Sequence, residues 1–234
     1  MAEDRLLPTL LLLPGLDGTG KLFSHFVDAL GPSIDTQIVT YPVDRRLGYA
    51  ELETLVRAGL PNGKRYVLLA ESFSGPIGIR IAADPPPGLV GVILCVTFAK
   101  NPYPLLAWTR SWAAAFPVRS LPRWVRAPFM WGALSADRAS SDAERATAAV
   151  DEGVLRHRIA AVLAVDETKA LARIRIPTLV LQATADHLVP SAASQDILRT
   201  LPRAQHIDIE GPHLLLQTRP TECAAAVIEF IKTL

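Results

Sequence analysis

The segment Tyr66–Pro76, YVLLAESFSGP, constrains the fold more than any other part of the chain. Tyr66 to Leu69 are apolar, include the β-branched Val67 and follow Gly63 and Lys64, which reads as a buried strand. Pro76 suits the first turn of a helix, where its missing N–H costs nothing. From Ile77 to Ala83 the pattern is helical. Ser72 therefore sits where a strand turns sharply into a helix. There its hydroxyl is pushed out at the sheet edge, and a helix N-terminus lies under any negative charge that develops. A nucleophile that passes through an oxyanion intermediate needs these things. Ser74 is the rival hydroxyl, but as nucleophile it would put Pro76 at the tight second flanking position.

The rest of the chain alternates strands and helices around this segment. Pro8 to Leu13 reads as a strand, followed by a helix with Leu22, Phe26, Ala29 and Leu30 on one face. Ile34 to Tyr41 reads as a second strand, stopped by Pro42. Leu52, Leu55, Val56 and Gly59 mark a second helix. Leu89 to Phe98 is apolar throughout, as a central parallel strand should be. Thr178–Ala183 and Ala204–Ile209 read as later strands, separated by a helix over Ser191–Leu201. Ala224, Val227, Ile228, Ile231 and Leu234 give a last helical face. This order argues a doubly wound, mainly parallel α/β sheet whose crevice lies at the carboxyl ends of its strands.

Composition excludes several classes. The chain has 234 residues, enough for one α/β domain with a full core. Half the residues are hydrophobic, yet no apolar run reaches the ~18 residues that span a bilayer. The flank of the first apolar run holds Glu3 and Asp4, unlike a signal peptide. Net charge is +1 with both signs interspersed, which gives no electrostatic case for nucleic acid. Two cysteines form no disulfide framework and no metal-ligand spacing. A cytoplasmic protein without metal, cofactor or stable membrane insertion is expected; its oligomeric state is not readable.

Downstream, two segments can complete a nucleophilic site. Asp186, in TADH, follows the strand ending at Ala183. His213, in EGPH, follows the strand ending at Ile209. Both leave carboxyl ends of strands, as Ser72 does. His187 is a rival base and Asp208 a rival acid. The first is adjacent in sequence to Asp186, and the second sits within a strand. The glycine-rich turn Gly15–Gly20 lacks the spacing of a dinucleotide or phosphate loop. Asp17 and Glu71 flank the site and are expected in turn or supporting hydrogen bonds.

Ala70-Glu71-Ser72-Phe73-Ser74 resembles the nucleophile elbow of the α/β-hydrolase superfamily, G-x-S-x-G, with Ala and Ser at the two glycines. Small residues are needed there because strand and helix come into close contact. The order Ser72, Asp186, His213 is the superfamily's order. The PGLDGTG and ESFSG segments resemble small bacterial carboxylesterases and the hydrolase part of plant phytyl ester synthases. The resemblance implies Ser72 as nucleophile, His213 as base and Asp186 as its orienting acid. It implies the backbone N–H groups of Leu16 and Phe73 as the oxyanion hole. Gly15 is expected in a backbone conformation that only glycine adopts readily.

Residues 1–98 and 174–234 are expected to form the hydrolase core, and 99–173 a helical cap inserted after the fourth strand. This insertion holds all four tryptophans, with Trp108 and Trp112 as candidates to line a substrate pocket. Ser141 and Glu144 form a capping-box pattern, and Ile159, Val162 and Leu163 an apolar helical face. The expected activity is hydrolysis of small, apolar, uncharged carboxylic esters through an acyl-enzyme. Thioesterase, lysophospholipase and acyltransferase chemistry would use the same triad. A ligand-binding protein without catalysis on this fold is the alternative of another class.

Overall fold

A computed structural model describes residues 7–109 and 138–234. Six parallel strands form one sheet in the order β2-β1-β3-β4-β5-β6. They are β1 Thr9–Leu13, β2 Thr36–Ile38, β3 Tyr66–Glu71, β4 Leu89–Cys95, β5 Thr178–Ala183 and β6 Gln205–Ile209. The helices on its two faces are α1 Ser24–Leu30, α2 Tyr49–Ala58, α3 Gly75–Ala83, α7 Ser191–Thr200, α8 Leu215–Thr218 and α9 Pro220–Lys232. Between β4 and β5 stand a 3-10 turn, Pro104–Thr109, and helices α4 Arg138–Ala148, α5 Glu152–Ala164 and α6 Thr168–Leu171. This is the doubly wound α/β-hydrolase fold with a helical insertion after the fourth strand.

Side-chain alternation explains the two layers. Leu11 and Leu13, Leu68 and Ala70, and Val92 and Leu94 face a cluster with Leu52 and Val56 of α2, Ile77 and Ile81 of α3, and Ile197 of α7. Leu10 and Leu12, Val67 and Leu69, and Ile93 and Cys95 face the opposite cluster, with Phe26 of α1 and Val227 and Phe230 of α9. Every residue of β1 and β3 is buried, and Leu10–Leu13 and Tyr66–Ala70 within them read as unbroken apolar runs. Leu171, at the end of the insertion, and Ile174, just past it, pack in the first of these clusters. Cys95 and Cys223 are free and buried. Among the described residues no helix is long and apolar enough to cross a membrane.

Three local expectations differ from the structure. The strand expected over Ile34–Tyr41 pairs only over Thr36–Ile38, because it is the sheet edge and its side chains stay half-buried or exposed. Strand β4 stops at Cys95 rather than Phe98, because Val96 turns the chain with φ +44°. Ser141 lies inside α4 rather than at its N-cap. Among the described residues of the insertion a side-chain cap is instead given by Asp151, whose carboxylate accepts from the Gly153 and Val154 N–H groups at 2.8 and 3.2 Å and starts α5.

Candidate active site

Ser72 ends β3 with φ +49°, a left-handed conformation that costs a non-glycine residue roughly 1–3 kcal/mol unless its surroundings enforce it. They do so through its carbonyl, which accepts from the Thr97 hydroxyl, just past β4, and from the Gly75 N–H. The corner is tight, as its small residues suggested. A Cβ on Gly75 would lie 1.8 Å from Thr97 Oγ1, and one on Gly78 would lie 2.7 Å from Ala70 Cβ.

The sheet order brings the other segments to the same edge. Ser72 Oγ lies 2.9 Å from His213 Nε2. His213 Nδ1 lies 2.8 Å from Asp186 Oδ2. The other carboxylate oxygen of Asp186 accepts from the N–H groups of Leu188 and Val189, each at 2.8 Å. The His213 and Asp186 side chains are only 5% and 6% exposed. With Nδ1–H donated to the carboxylate, Nε2 offers its lone pair to the serine hydroxyl.

β6 lies three strands from β3, about 14 Å at ordinary spacing, so the His213 turn must fold back across the sheet. Two bonds hold it there. The Ala185 N–H donates to Gly211 O at 3.0 Å, and Gln217 Nε2 donates to Glu71 Oε1 at 2.9 Å. Glu71 is 4% exposed. Burial pushes its carboxyl up to about 7, and the Asp17 carboxylate adds to that; the Gln217 bond, His213 and the Gly15 N–H pull the other way.

The rival groups are placed elsewhere. Ser74 is fully buried and donates to Pro14 O, while the Tyr41 hydroxyl donates to Ser74 Oγ at 2.7 Å. Burial pushes the Tyr41 phenol up, so it stays protonated. His187 is exposed. Asp208 lies 3.2 Å from His206 on β6, whose side chains are mostly exposed. His25 lies 3.7 Å from Asp142, and both are partly exposed.

The loop after β1 runs beside Ser72. A Cβ added to Gly15 would lie 4.0 Å from Ser72 Cβ in ordinary contact, and Gly15 has no positive φ. The expectation of a glycine-only conformation at Gly15 is therefore corrected; the strained glycines of this loop are Gly18 and Gly20, both at φ +70°. Asp17 is buried and accepts from the N–H and hydroxyl of Thr19, as a turn carboxylate would. Phe73 follows Ser72 and stacks on Tyr49 with ring centroids 4.9 Å apart. Trp108 is exposed, on the 3-10 turn Pro104–Thr109. Trp112 lies outside the described residues.

Sequence reasoning missed Arg158. On α5 the fully buried side chains are Val154, Leu155 and this arginine, while the expected apolar face of Ile159, Val162 and Leu163 is only half-buried. Its guanidinium is satisfied by carbonyls of residues more than a hundred positions away, and nothing in the local pattern signals that.

Residues 50–215, more than half of the chain, match the model of the serine aminopeptidase S33 family. The chain belongs to this family of α/β-hydrolases. Within the serine aminopeptidase S33 match lie Ser72, Asp186 and His213. Among curated proteins the chain is 26% identical over 247 residues to "Putative carbamate hydrolase RutD" of Pseudomonas syringae pv. syringae, covering 97% of this chain and 94% of that one. Solved structures share the fold. A hydrolase from Oleispira antarctica superposes with a TM-score of 0.80 at 16% identity, covering 97% and 92% of the two chains. The enol-lactonase from Burkholderia xenovorans LB400 gives 0.76 at 18% identity, with the same coverage.

Proposed function

We propose that the protein is a serine hydrolase that cleaves carboxylic esters of apolar, uncharged substrates through an acyl-enzyme. The observation that carries this reading is the unbroken series from Ser72 Oγ through both ring nitrogens of His213 to Asp186. His213 takes the Ser72 proton as Oγ attacks the ester carbonyl. Asp186 keeps the ring in the tautomer that can accept it and stabilises the imidazolium. The backbone N–H groups of Leu16 and Phe73 receive the oxyanion. His213 then returns the proton to the leaving alcohol, and water repeats the sequence in reverse to free the acid. This acyl transfer is complete with water as co-reactant.

Likeness to RutD, whose printed name is that of a carbamate hydrolase, favours a second reading. A carbamate carbonyl meets the same nucleophile but leaves an amine or carbamic acid. Matched aryl esters and aryl carbamates separate the two by their kcat/KM.

The decisive experiment is labelling with a fluorophosphonate, mapped by mass spectrometry, beside turnover of aryl esters by Ser72→Ala. The adduct is expected on Ser72. The variant should keep its Tm and lose on the order of 10⁴-fold or more in kcat, as nucleophile removal does in other hydrolases of this kind. An adduct on another residue, or turnover retained by Ser72→Ala and lost by Ser74→Ala, would falsify the assignment. A folded wild-type protein that takes no label and turns over no ester belongs to the binding-protein class instead.

A further inference from the structure

Arg158 is a buried cation, 1% exposed, contributed by the inserted helix α5. It binds main chain. Nη1 donates to Leu16 O at 2.7 Å and to Asp17 O at 2.9 Å, and Nη2 donates to Pro42 O at 3.0 Å. The guanidinium also stands 5.9 Å from the centre of the Phe73 ring and 5.7 Å from that of Tyr41. One side chain of the insertion thus touches both residues that supply the proposed oxyanion donors.

Peptide geometry gives this contact a consequence. In a trans peptide the N–H and C=O point in opposite directions. The Gly15 carbonyl accepts from the Gly18 N–H at 3.1 Å, which sets the direction of the Leu16 N–H in the same peptide unit. The Leu16 carbonyl, in the next unit, is held by Arg158. The Pro14 carbonyl, in the preceding unit, accepts from Ser74 Oγ. Rotation of any of these units would swing the Leu16 N–H, and each is held by a bond. Gly18 also leaves the guanidinium its room, since a Cβ there would lie 2.6 Å from Nη1.

We infer that Arg158 is a positioning residue for the oxyanion hole: its guanidinium clamps the Leu16 and Asp17 carbonyls, keeps the Leu16 N–H aimed beside Ser72, and sets a positive charge behind both donors. The inference rests on the reading of Ser72 as nucleophile. Lysine cannot replace the clamp, because a single ammonium lacks the planar fork that reaches three carbonyls on two loops. An arginine that only welded the insertion to the core would support folding but not the chemical step, and the two roles differ in what they do to kcat.

The test compares wild type, Arg158→Lys and Arg158→Met on 4-nitrophenyl butyrate, with kcat expressed per fluorophosphonate-titrated Ser72. Losing an oxyanion donor outright costs ~10² to 10³ in kcat, so a misaimed donor in Arg158→Met should cost about 10- to 100-fold, with KM changed less than about threefold. Arg158→Lys should fall between that variant and wild type. Affinity for an aliphatic trifluoromethyl ketone, which forms a tetrahedral oxyanion adduct on serine, should drop by the same factor as kcat/KM. If the variants lose Tm and titratable sites but keep kcat per site and ketone affinity within about threefold of wild type, the clamp is structural only and the inference is overturned. Should Arg158→Met fail to fold, Arg158→Lys decides, and wild-type kcat and ketone affinity in it overturn the inference equally. Wild-type labelling away from Ser72 removes the triad reading itself. Labelling at Ser72 with unaffected Arg158 variants removes the clamp alone.

Discussion

Glu71 is a titratable group placed directly before Ser72, and its environment fixes how stability should respond to pH. Burial is the main cause that lifts its carboxyl from an ordinary 4.5 to about 7 in the folded protein. A group with a raised folded pKa contributes stability that is fully present below its unfolded pKa. That contribution is lost as pH rises through the folded one. Glu71 should therefore erode stability between about pH 4.5 and pH 7, by up to ~3 kcal/mol. In Glu71→Gln this component disappears, so urea unfolding at pH 5 and pH 8 should give more similar free energies than in wild type. The variant should fold, because buried Gln217 Oε1 has no partner now and can accept from the new amide once the Gln217 amide turns. An unchanged difference between the two pH values would show that Glu71 is not the group titrating.

At the level of elements, the corner between β3 and α3 depends on how closely the helix approaches the sheet. Gly78→Ala improves intrinsic helix propensity by ~1 kcal/mol, yet its methyl would meet Ala70 Cβ at 2.7 Å. We expect a net loss of about 1–3 kcal/mol in urea unfolding and a lower kcat, since α3 must shift and carries the Ser72 corner with it. A variant at least as stable as wild type, with full activity, would contradict that. The same corner explains what the sequence disclosed. Ser72 and Asp186 were readable because each follows the end of a buried apolar run, and His213 because it follows the strand ending at Ile209, although that edge strand is mostly exposed; a parallel sheet brings such ends to one edge. Strands β1 and β5 were readable for the same reason. The extent of β2 was not, because an edge strand lacks the burial that makes a run apolar. Thr97, Gln217 and Arg158 were not readable either. Their partners lie 25, 146 and 116 to 142 positions away, and only the folded chain pairs them. A glycine in a turn does not by itself signal conformational need: Gly15 has no positive φ, whereas Gly18 and Gly20 do.

On the scale of the whole molecule, the first described turn of the insertion, Pro104–Thr109, lies near the edge of the sheet that holds Asp186. This turn carries Leu105, Leu106 and Trp108, which are 87%, 47% and 74% exposed. The Tyr103 hydroxyl, just before that turn, donates to the carbonyl of Leu188, two residues past Asp186. Apolar surface thus stands beside the acid loop. On a series of 4-nitrophenyl esters, each added methylene that is buried should raise kcat/KM by about fourfold, ~0.8 kcal/mol, until the pocket is full. Trp108→Ala should move that break in chain length more than it changes the acetyl ester rate. Rates that ignored chain length, or rose with charged acyl groups, would remove the apolar-substrate reading.

Arg158 has a different consequence for treating this insertion as an exchangeable part. The carbonyls of Leu16, Asp17 and Pro42 all belong to core loops, yet their donor arrives on α5. A core recombined with another protein's insertion would deprive these acceptors of their donor, at about 1–3 kcal/mol for each one that stays buried. Modularity in this chain therefore has a boundary that runs through one side chain: an insertion exchanged for 99–173 should be tolerated best if it brings a guanidinium to the same place, or if the loops after β1 and β2 are redesigned with it.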